Sequence, residues 1–422
     1  MSYQTVKGTY DTLPERYEKC RYVEELFEQF LDLYGYRLMK TPVIEYSGIF
    51  KKDNDTSDMV TKEMFTFSMN GKDQITLRPE GTAGLIRSFV ENKLYGKEEL
   101  PFKAGYIEEV FRHERPQKGR QRQFTQLGIE NIGIKSPLID AETIALGYSF
   151  VKALGLNDVK VLVNTLGDNE SRLAYGEALR KHFENHLDEL CEDCKNRYYK
   201  NPLRILDCKI DHEKDCITNA PKMADYLTAE SKVYFEKVLA YLEVLDIPYI
   251  IDDKLVRGLD YYTDTVFEVV STSPLAGSQA TLFAGGRYDH LVEELGGPDL
   301  SGIGFAMGEE RLLIALENEG LLPPYQYRTD GYVLDLTSSD PYVIKVATIL
   351  RSNGYSVEMN VIERSIKSQF KSADRRDVAF SVIIGEDEVK NSTVQLRSSK
   401  SKEQKEISLA SLIEEVDALM EE

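Results

Sequence analysis

A stretch of twenty residues, Phe111 to Glu130 (FRHERPQKGRQRQFTQLGIE), concentrates positive charge in a chain that is otherwise acidic. Its first twelve residues hold one acid, Glu114, against five arginines and lysines, at positions 112, 115, 118, 120 and 122. The formal net charge of the 422-residue chain is −19, so this cluster departs from its background. Pro116 and Gly119 divide the stretch into two arms with strand-like character. The pattern predicts a β-hairpin whose arms carry arginines inward and whose basic tip points outward.

Arginines in such a hairpin are suited to holding an anion, because the guanidinium fork bonds a phosphate or carboxylate at two points. A solvated, charged hairpin is the plain alternative for a basic loop. The choice between them depends on whether matching motifs occur elsewhere in the chain.

The composition is that of a folded globular protein, with 42% hydrophobic and 29% charged residues. A chain of this length has room for about two or three domains. The negative net charge argues against nonspecific coating of nucleic acid or anionic membrane, but it permits a local basic site. The polar N-terminus lacks the apolar core of a signal peptide, and no run approaches the ~20 apolar residues that span a bilayer. We therefore expect a cytoplasmic protein that does not contact membranes.

Two segments with glycine turns place polar residues beside predicted strands. In residues 75–94, Pro79 and Gly81 separate a strand from a helix, so Glu80 and Thr82 would lie at the turn. They could bind an ammonium group there, or Thr82 could simply cap the helix. In residues 301–316, a thin, glycine-rich strand precedes a helix that places Arg311 in its first turn. The helix dipole does not favour a cation at that position, which indicates a partner such as phosphate.

A third segment, LVRGLDYYT at residues 255–263, places Arg257 and two tyrosines, Tyr261 and Tyr262, ahead of a predicted strand. The plain alternative is two core tyrosines and an exposed arginine. Shortly after it, the paired glycines of residues 283–297 would let the backbone approach a ligand closely, and Tyr288 could line the resulting pocket. An ordinary hairpin turn is the alternative there.

Three parts of the chain resemble, in order, the three signature motifs of class II aminoacyl-tRNA synthetases: the helix and proline-interrupted strand at 16–46, the basic hairpin at 111–130 and the segment at 301–316. RPQKGR and LVRGLDYYT have the form found in histidyl-tRNA synthetases of bacterial type. The resemblance covers essentially the whole chain, including a helix at 16–36 and a strand at 37–46 interrupted by Pro42. It implies an α+β catalytic domain, an antiparallel sheet flanked by helices, over residues 1–322, with a helical insertion at about 171–240. It further implies a linker at 323–328 and a C-terminal α/β anticodon-binding domain at 329–422.

The resemblance also implies a homodimer that joins L-histidine to tRNA(His), with ATP and Mg²⁺, through a histidyl-adenylate. No tightly bound organic cofactor is expected. Arg257 and Arg112 would be the catalytic residues, bracketing the α-phosphate of ATP.

The remaining implied roles fall into three groups. Histidine would be bound by Glu80, Thr82, Gln126, Glu130, Tyr261, Tyr262 and Tyr288. ATP would be bound by Arg112, Glu114, Arg120, Phe124 and Arg311. Arg115 and Gln117 at the hairpin tip would contact the tRNA. Because a buried imidazole needs both nitrogens satisfied, Glu130 and Tyr262 are the expected selective pair.

Five cysteines, at positions 20, 191, 194, 208 and 216, do not suggest a disulfide framework because their number is odd. The last four could form a four-thiolate zinc site. However, the pair Cys208 and Cys216 is not CxxC, and Lys209 and His212 interrupt it. We favour reduced cysteines in a charged insertion, assign no metal ligands and leave zinc open.

Two other readings of the chain remain open. One is the histidine-biosynthesis regulatory subunit that resembles this catalytic domain, although such a protein would be expected to lack the C-terminal domain. The other is a synthetase paralogue that acts as a sensor, since Glu109 and Asp264 depart from the family pattern. In the C-terminal domain, a basic helix face is either solvated or contacts tRNA phosphates, and it comprises Arg364, Lys367, Lys371 and Arg375.

Overall fold

The structure is a computed structural model that describes residues 3–51, 58–71, 73–256, 261–276, 280–325, 329–362 and 364–421. Arg257 lies outside the described residues. The chain divides into two compact units, Met1–Pro323 and Pro324–Glu422, and each is described by itself. Within the described ranges, no helix is both long enough and apolar enough to cross a membrane.

The first unit is built on a large mixed sheet. Its strands are β1 (Arg37–Leu38), β2 (Ile44–Tyr46), β3 (Thr66–Met69), β4 (Asp73–Leu77), β5 (Phe102–Phe111), β6 (Gln123–Ile132), β7 (Val159–Thr165), β8 (Tyr249–Ile251), β9 (Thr263–Ser271), β10 (Thr281–Tyr288) and β11 (Gly302–Gly308). Among the described residues, eight of them form one sheet in the order β1-β5-β6-β11-β10-β9-β7-β8. Its described neighbours are antiparallel, except that each edge strand, β1 and β8, pairs in parallel. The predicted antiparallel sheet is confirmed, with a parallel strand added at each edge.

The helices of the first unit are α1 (Pro14–Leu33), α2 (Asp58–Lys62), α3 (Thr82–Glu91), α4 (Pro137–Ala153), α5 (Asn169–Phe183), α6 (Glu192–Lys200), α7 (Asp215–Thr218), α8 (Ala229–Val244), α9 (Leu291–Glu294) and α10 (Glu309–Glu319). Four of them, α1, α4, α8 and α10, share one apolar core with the sheet. Phe27 of α1 and Phe150 of α4 meet edge to face there, with ring centroids 5.2 Å apart. Each such fully buried side chain contributes about 1.5–3 kcal/mol to folding.

The predicted hairpin is formed by β5 and β6, which pair from Phe102 with Ile132 to Phe111 with Gln123. Beyond the strands, the Arg112 N–H donates to the Arg122 carbonyl at 2.9 Å. The strand β5 already ends at Phe111, so Arg112 and Glu114 lie in the connecting segment and not in an arm of the hairpin. The ladder therefore fixes where the basic segment begins.

The proline-interrupted strand at 37–46 is broken into two strands that belong to different sheets. Its first part, β1, pairs with β5, whereas β2 joins β4 and β3 in a separate sheet that has three strands among the described residues. Pro42 lies between them and has no N–H to give to a ladder. At the break, the Thr41 N–H donates to the buried Glu108 carboxylate at 2.5 Å.

Helices α5 to α8 lie in the region of the predicted insertion, where α5 to α7 have an apolar core of their own and α8 packs in the core of the large sheet. Leu179 and Phe183 of α5 are fully buried in it, together with the thiol-bearing Cys194 of α6. Tyr262, just before β9, and Val266, within it, belong to the same cluster, so the helical region packs on the end of the large sheet.

The second unit contains the strands β12 (Gly331–Asp335), β13 (Val357–Met359), β14 (Phe380–Ile384), β15 (Thr393–Ser398) and β16 (Gln404–Ser408) and the helices α11 (Pro341–Ser352), α12 (Ile366–Arg375), α13 (Glu386–Asn391) and α14 (Leu412–Glu421). Its described strands form a mixed sheet in the order β13-β12-β14-β15-β16. The helix α13 and the strand β16 were not predicted. Arg364 precedes α12, and its guanidinium contacts the Ser372 hydroxyl, so it does not extend the basic helix face.

Candidate active site

The face of the large sheet opposite its helical core carries a cavity of about 380 Å³. Side-chain alternation along β6 explains this division, because successive residues point to opposite faces. Leu127 and Ile129 enter the core, whereas Phe124, Gln126 and Glu130 line the cavity.

The cavity brings together the described residues that the sequence assigns to histidine and ATP. Its lining includes Glu80, Thr82, Arg112, Glu114, Arg120, Phe124, Gln126, Glu130, Tyr261, Tyr262, Tyr288 and Arg311. The structure does not test Arg257 and does not bring the predicted tRNA-binding residues into the cavity. Arg257 lies outside the described residues, and Arg115 and Gln117 are exposed at the hairpin tip and do not line the cavity.

At its deep end, the cavity holds a buried carboxyl group, that of Glu130. Its two oxygens accept hydrogen bonds from the Thr82 hydroxyl at 2.7 Å and the Tyr288 hydroxyl at 2.5 Å. Burial raises the pKa of Glu130 to about 8, and these two hydrogen bonds oppose the rise. The group is therefore poised to gain from a ligand that donates a hydrogen bond or carries positive charge.

Glycines of β11 make the room for this arrangement. A Cβ on Gly304 would lie 2.1 Å from Glu130 Oε2, and a Cβ on Gly302 would lie 2.1 Å from the Tyr288 ring. The small residues that predicted a thin strand are thus needed for the close approach of two buried polar side chains.

The turn before α3 supplies a second carboxylate. Glu80 accepts hydrogen bonds from the backbone N–H groups of Thr82 at 3.0 Å and Ala83 at 2.8 Å, so Glu80 itself caps the helix. The alternative that Thr82 caps the helix is wrong, because its hydroxyl turns to Glu130. Burial raises the pKa of Glu80 above its ordinary value. Gln126 accepts from the Gly81 N–H at 3.3 Å and joins the turn to the sheet.

Three arginines from two chain segments, the hairpin and α10, line the other part of the cavity. Arg112 donates to the Pro79 carbonyl at 2.8 Å, and its guanidinium lies 5.4 Å from the centre of the Phe124 ring. Arg120 pairs with Glu114 at 3.1 Å. Arg311, in the first turn of α10 as predicted, donates to the Gly119 carbonyl at 3.3 Å.

The charges of these arginines are incompletely balanced. Within the described part of the chain, neither Arg112 nor Arg311 has a carboxylate at ion-pair distance, and only Arg120 has one. Burial lowers the pKa of Arg311, and the neighbouring cation Arg120 lowers it further. An anion would stabilise a guanidinium in this position, so the arginines are suited to a phosphate or a carboxylate.

Sequence reasoning missed Lys209, which reaches this cavity from the helical region. It also lines an adjoining cavity of about 390 Å³ together with Arg112, Arg197 and Arg311. No local pattern marks Lys209, because its position follows from the packing of α5–α7 on the sheet. It adds positive charge to the arginine end of the site.

A buried ion pair lies next to the Glu80 turn, and it was not identified from the sequence either. Arg78 pairs with Glu108 at 2.8 Å, and its guanidinium further donates to the carbonyls of Thr41 and Glu109. These bonds connect the end of β4, where Arg78 lies, to β5 and to the segment between β1 and β2. Removing one partner of such a buried pair costs about 3–5 kcal/mol.

The two residues that depart from the family pattern do not line the cavity. Glu109 is exposed on β5 and accepts from the Gln123 side chain at 3.0 Å. Asp264 is buried at the start of β9 and pairs with Lys135, which also pairs with Asp289 at 2.9 Å. Both departures therefore lie outside the cavity lining, and each makes its side-chain contacts elsewhere on the sheet.

Comparisons with known proteins agree with this geometry. Residues 8–312 match the family described as "Histidyl-tRNA synthetase", and residues 331–419 match the one described as "Anticodon binding domain". A "Histidine--tRNA ligase" of Listeria innocua is 45% identical over 100% of both chains. One of Geobacillus thermodenitrificans is 46% identical over 98% of this chain and 97% of the relative. The solved structure of apo histidyl-tRNA synthetase of S. aureus covers 98% of this chain and 100% of its own, with 38% identity and a TM-score of 0.83. The chain belongs to the histidyl-tRNA synthetase family.

Proposed function

We propose that this chain joins L-histidine to tRNA(His) at the expense of ATP. One observation carries the proposal. A single cavity contains a buried carboxyl group, Glu130, with its hydrogen-bond partners, and three arginines of which only Arg120 is paired with a carboxylate among the described residues. The first part suits a cationic, hydrogen-bonding amino acid, and the second suits a polyphosphate.

The reaction proceeds in two displacements. In the first, a carboxylate oxygen of histidine attacks the α-phosphorus of ATP, the bond to the β-phosphate oxygen breaks, and pyrophosphate leaves. In the second, a terminal ribose hydroxyl of the tRNA attacks the carbonyl carbon of histidyl-adenylate, and AMP leaves. Neither step requires a covalent bond to the protein, so catalysis rests on positioning and on fixed charge.

Fixed cations favour the first step because negative charge gathers on the phosphate oxygens in its transition state. We assign Arg112 to the α-phosphate, beside Arg257 as the sequence implies, and Arg120 and Arg311 to the distal phosphates. The Arg112 guanidinium is held by the Pro79 carbonyl and the Phe124 ring, which limits its rotamers before ATP binds. The ring of Phe124 would stack on adenine.

In this assignment, Glu114 has two hydrogen-bonding partners. The resemblance implies that it binds near the adenine amino group, and its carboxylate also accepts from Arg120. A carboxylate offers lone pairs on two oxygens, so one can orient Arg120 while the other accepts from an amino group.

Histidine would be held by the chain of hydrogen bonds that runs from Glu80 through Thr82 to Glu130 and Tyr288. Glu80, Thr82 and Gln126 would bind the α-ammonium, and Glu130 would accept from the imidazole. Tyr288 is the tyrosine hydroxyl that bonds Glu130. Tyr262 packs against Tyr261 with ring centroids 4.7 Å apart, and the pair would close the pocket around the imidazole. A site built this way rejects apolar analogues strongly.

Mg²⁺ would accompany ATP, and the carboxylate of Glu310 is suited to be one of its ligands. This buried residue lines the cavity, and Oε1 accepts from the Tyr10 hydroxyl and the Thr125 N–H. Its Oε2 is buried without a hydrogen-bond partner among the described residues. The ion would neutralise phosphate charge.

The chain would act as a homodimer in the cytoplasm, where its tRNA substrate is found. The small sheet β2-β4-β3 supports a dimer, because Tyr46, Ile75 and Phe67 are aligned across its three described strands. Tyr46 and Phe67 are about half exposed, as are Ile44 and Met69 on the same face. A row of exposed apolar side chains of this kind marks an interface.

The test is ATP–pyrophosphate exchange measured with each proteinogenic amino acid, followed by charging of tRNA(His). Exchange with histidine alone, lost in Arg257→Ala and in Glu130→Ala, is the expected result. Folded protein that exchanges pyrophosphate with no amino acid would overturn the proposal.

A further inference from the structure

The helical region contains a cluster of soft ligands that the reaction does not use. It consists of Cys191, Cys194, Cys208 and Asp211, whose sulfur and carboxylate oxygen atoms all lie within 4.8 Å of one another. The sulfurs of Cys191 and Cys208 are 3.7 Å apart, and Cys208 Sγ is 3.7 Å from Asp211 Oδ2. Each cysteine is a free thiol.

We propose that these four residues bind one zinc ion with a structural role. A tetrahedral Zn²⁺ with Zn–S bonds of about 2.3 Å places its sulfur ligands about 3.8 Å apart. The distance between the sulfurs of Cys191 and Cys208 meets this requirement, whereas a disulfide would need about 2.05 Å.

The spacing of the four ligands is that of two paired turns, CxxC at 191–194 and CxxD at 208–211. Cys191 is the N-cap of α6, so Cys194 lies in the first turn of that helix. The second turn is held by the Cys208 N–H, which donates to the Ile205 carbonyl, and by the Asp211 carbonyl, which accepts from the Lys214 N–H.

From the sequence, we considered a site of four cysteines that included Cys216 and assigned no metal ligands. The proposed site differs from both, because its fourth ligand is Asp211. Cys216 lies with His186 and Glu189 instead, and its carbonyl bonds the His182 ring. Asp211 takes its place as the fourth ligand. Lys209, which seemed to interrupt the pattern, lies inside the second turn.

The surroundings of the cluster suit a closed, structural site. The side chain of Asp211 is fully buried, and Cys194 and Cys208 are buried as well. Three thiolates and one carboxylate exceed the charge of Zn²⁺ by two negative charges, and Lys214 Nζ lies 2.6 Å from Asp211 Oδ1 to offset one of them. The Cys191 N–H also donates to Asp211 Oδ2 at 2.9 Å. Such supporting contacts fix the orientation of metal ligands.

The metal would connect the helical region to the active site, because Lys209 follows directly after Cys208 and lines the arginine end of the cavity. Zinc would hold the turn of Cys208–Asp211 in place and, with it, the Lys209 backbone. The metal touches no reacting atom, so its role is one of positioning.

The experiment measures the metal content of full-length protein purified without chelators or a histidine tag, using inductively coupled plasma mass spectrometry. We expect about one zinc per chain, released when a mercurial reagent blocks the thiols. Cys194→Ser and Asp211→Ala should each lower the zinc content. Cys216→Ser is the matched control, a buried cysteine of the same region, and should keep it.

Two further results keep the proposal falsifiable if the variants fold poorly. Wild-type protein reconstituted with Co²⁺ should give the absorption of tetrahedral cobalt–thiolate coordination, and alkylation with mass spectrometry should find Cys191 and Cys208 protected until the metal is removed. Protein that holds no zinc as purified and takes up none when reduced would overturn the proposal. So would a Cys191–Cys208 disulfide, or loss of zinc in Cys216→Ser alone. None of these readouts depends on aminoacylation.

Discussion

Replacing Glu130 with glutamine separates the contribution of this residue to stability from its contribution to histidine binding. The carboxyl accepts hydrogen bonds from both Thr82 and Tyr288, whereas an amide has one oxygen to accept with. One hydroxyl would therefore face an NH₂ group, at a cost of about 1–3 kcal/mol. The substitution also removes a charge whose burial is unfavourable, and this second effect depends on pH.

The size of the pH effect follows from linkage. Folding raises the pKa of Glu130 from its ordinary 4.5 to about 8, so the folded protein keeps a proton that the unfolded chain releases. The contribution of Glu130 to stability is therefore most favourable below pH 4.5 and is lost as the pH rises from there to about 8. Between pH 5 and pH 7.5 the loss amounts to about 3 kcal/mol. Glutamine does not titrate, so Glu130→Gln escapes this loss.

The assay is thermal unfolding of both proteins between pH 5 and pH 8, without ligands. We expect the melting temperature of Glu130→Gln to rise relative to wild type by roughly 5 °C across this interval. At the same time, histidine-dependent exchange should fall at least about 10-fold in kcat/KM, because a charge-assisted hydrogen bond is lost. Glu109→Gln, an exposed carboxylate on the adjacent strand, is the control. A melting-temperature difference that does not change with pH would refute the reasoning.

Three other substitutions test separate parts of the site and the fold. Arg311→Ala should lower kcat/KM for ATP in pyrophosphate exchange by about 10²–10³-fold, whereas Arg21→Ala on the surface of α1 should not change it. Gly304→Ala should lower the free energy of unfolding by about 3 kcal/mol or more in chemical denaturation, because its Cβ would lie 2.2 Å from the Ile129 carbonyl oxygen. Gly308→Ala is the control and should leave the free energy of unfolding unchanged, because there is open space around Gly308. Phe67→Glu should shift the protein towards monomer in light scattering at low concentration, and Val244→Glu, also exposed, should leave its mass unchanged. Unchanged values in the first member of any pair would contradict the corresponding assignment.

Local patterns were enough to predict the hairpin, the turn before α3 and the strand–helix unit that carries Arg311. In each case the signal is a turn residue or a periodicity within a few positions, as for Gly119 between the two arms of the hairpin. The class II sheet came from the resemblance that these motifs carry. Local patterns did not predict that strand β16 and helix α13 would form, since short polar elements are stabilised by tertiary packing.

Long-range relations within the site could not be read from the sequence. Glu80 caps helix α3, whereas the Thr82 hydroxyl donates to Glu130, which lies 48 positions away. Lys209 reaches the cavity only because the helical region packs against the start of β9. The pairing of Asp211 with three cysteines likewise arises from the meeting of two turns. These contacts have no periodicity that a sequence pattern could show.

The charges of the cavity explain why its fold and its substrates are coupled. Its deep end keeps two carboxyl groups, Glu80 and Glu130, whose pKa values burial raises, and its other end keeps Arg311, whose pKa burial and a neighbouring cation lower. Each of these shifts means that the charged form is unfavourable in the empty site. The ammonium and imidazole of histidine would complement the first set, and the phosphates of ATP would complement the second. Each substrate would then offset an unfavourable electrostatic contribution in the empty site, so both should raise the melting temperature. Histidine should do so most strongly above about pH 8, where most of Glu130 is ionised.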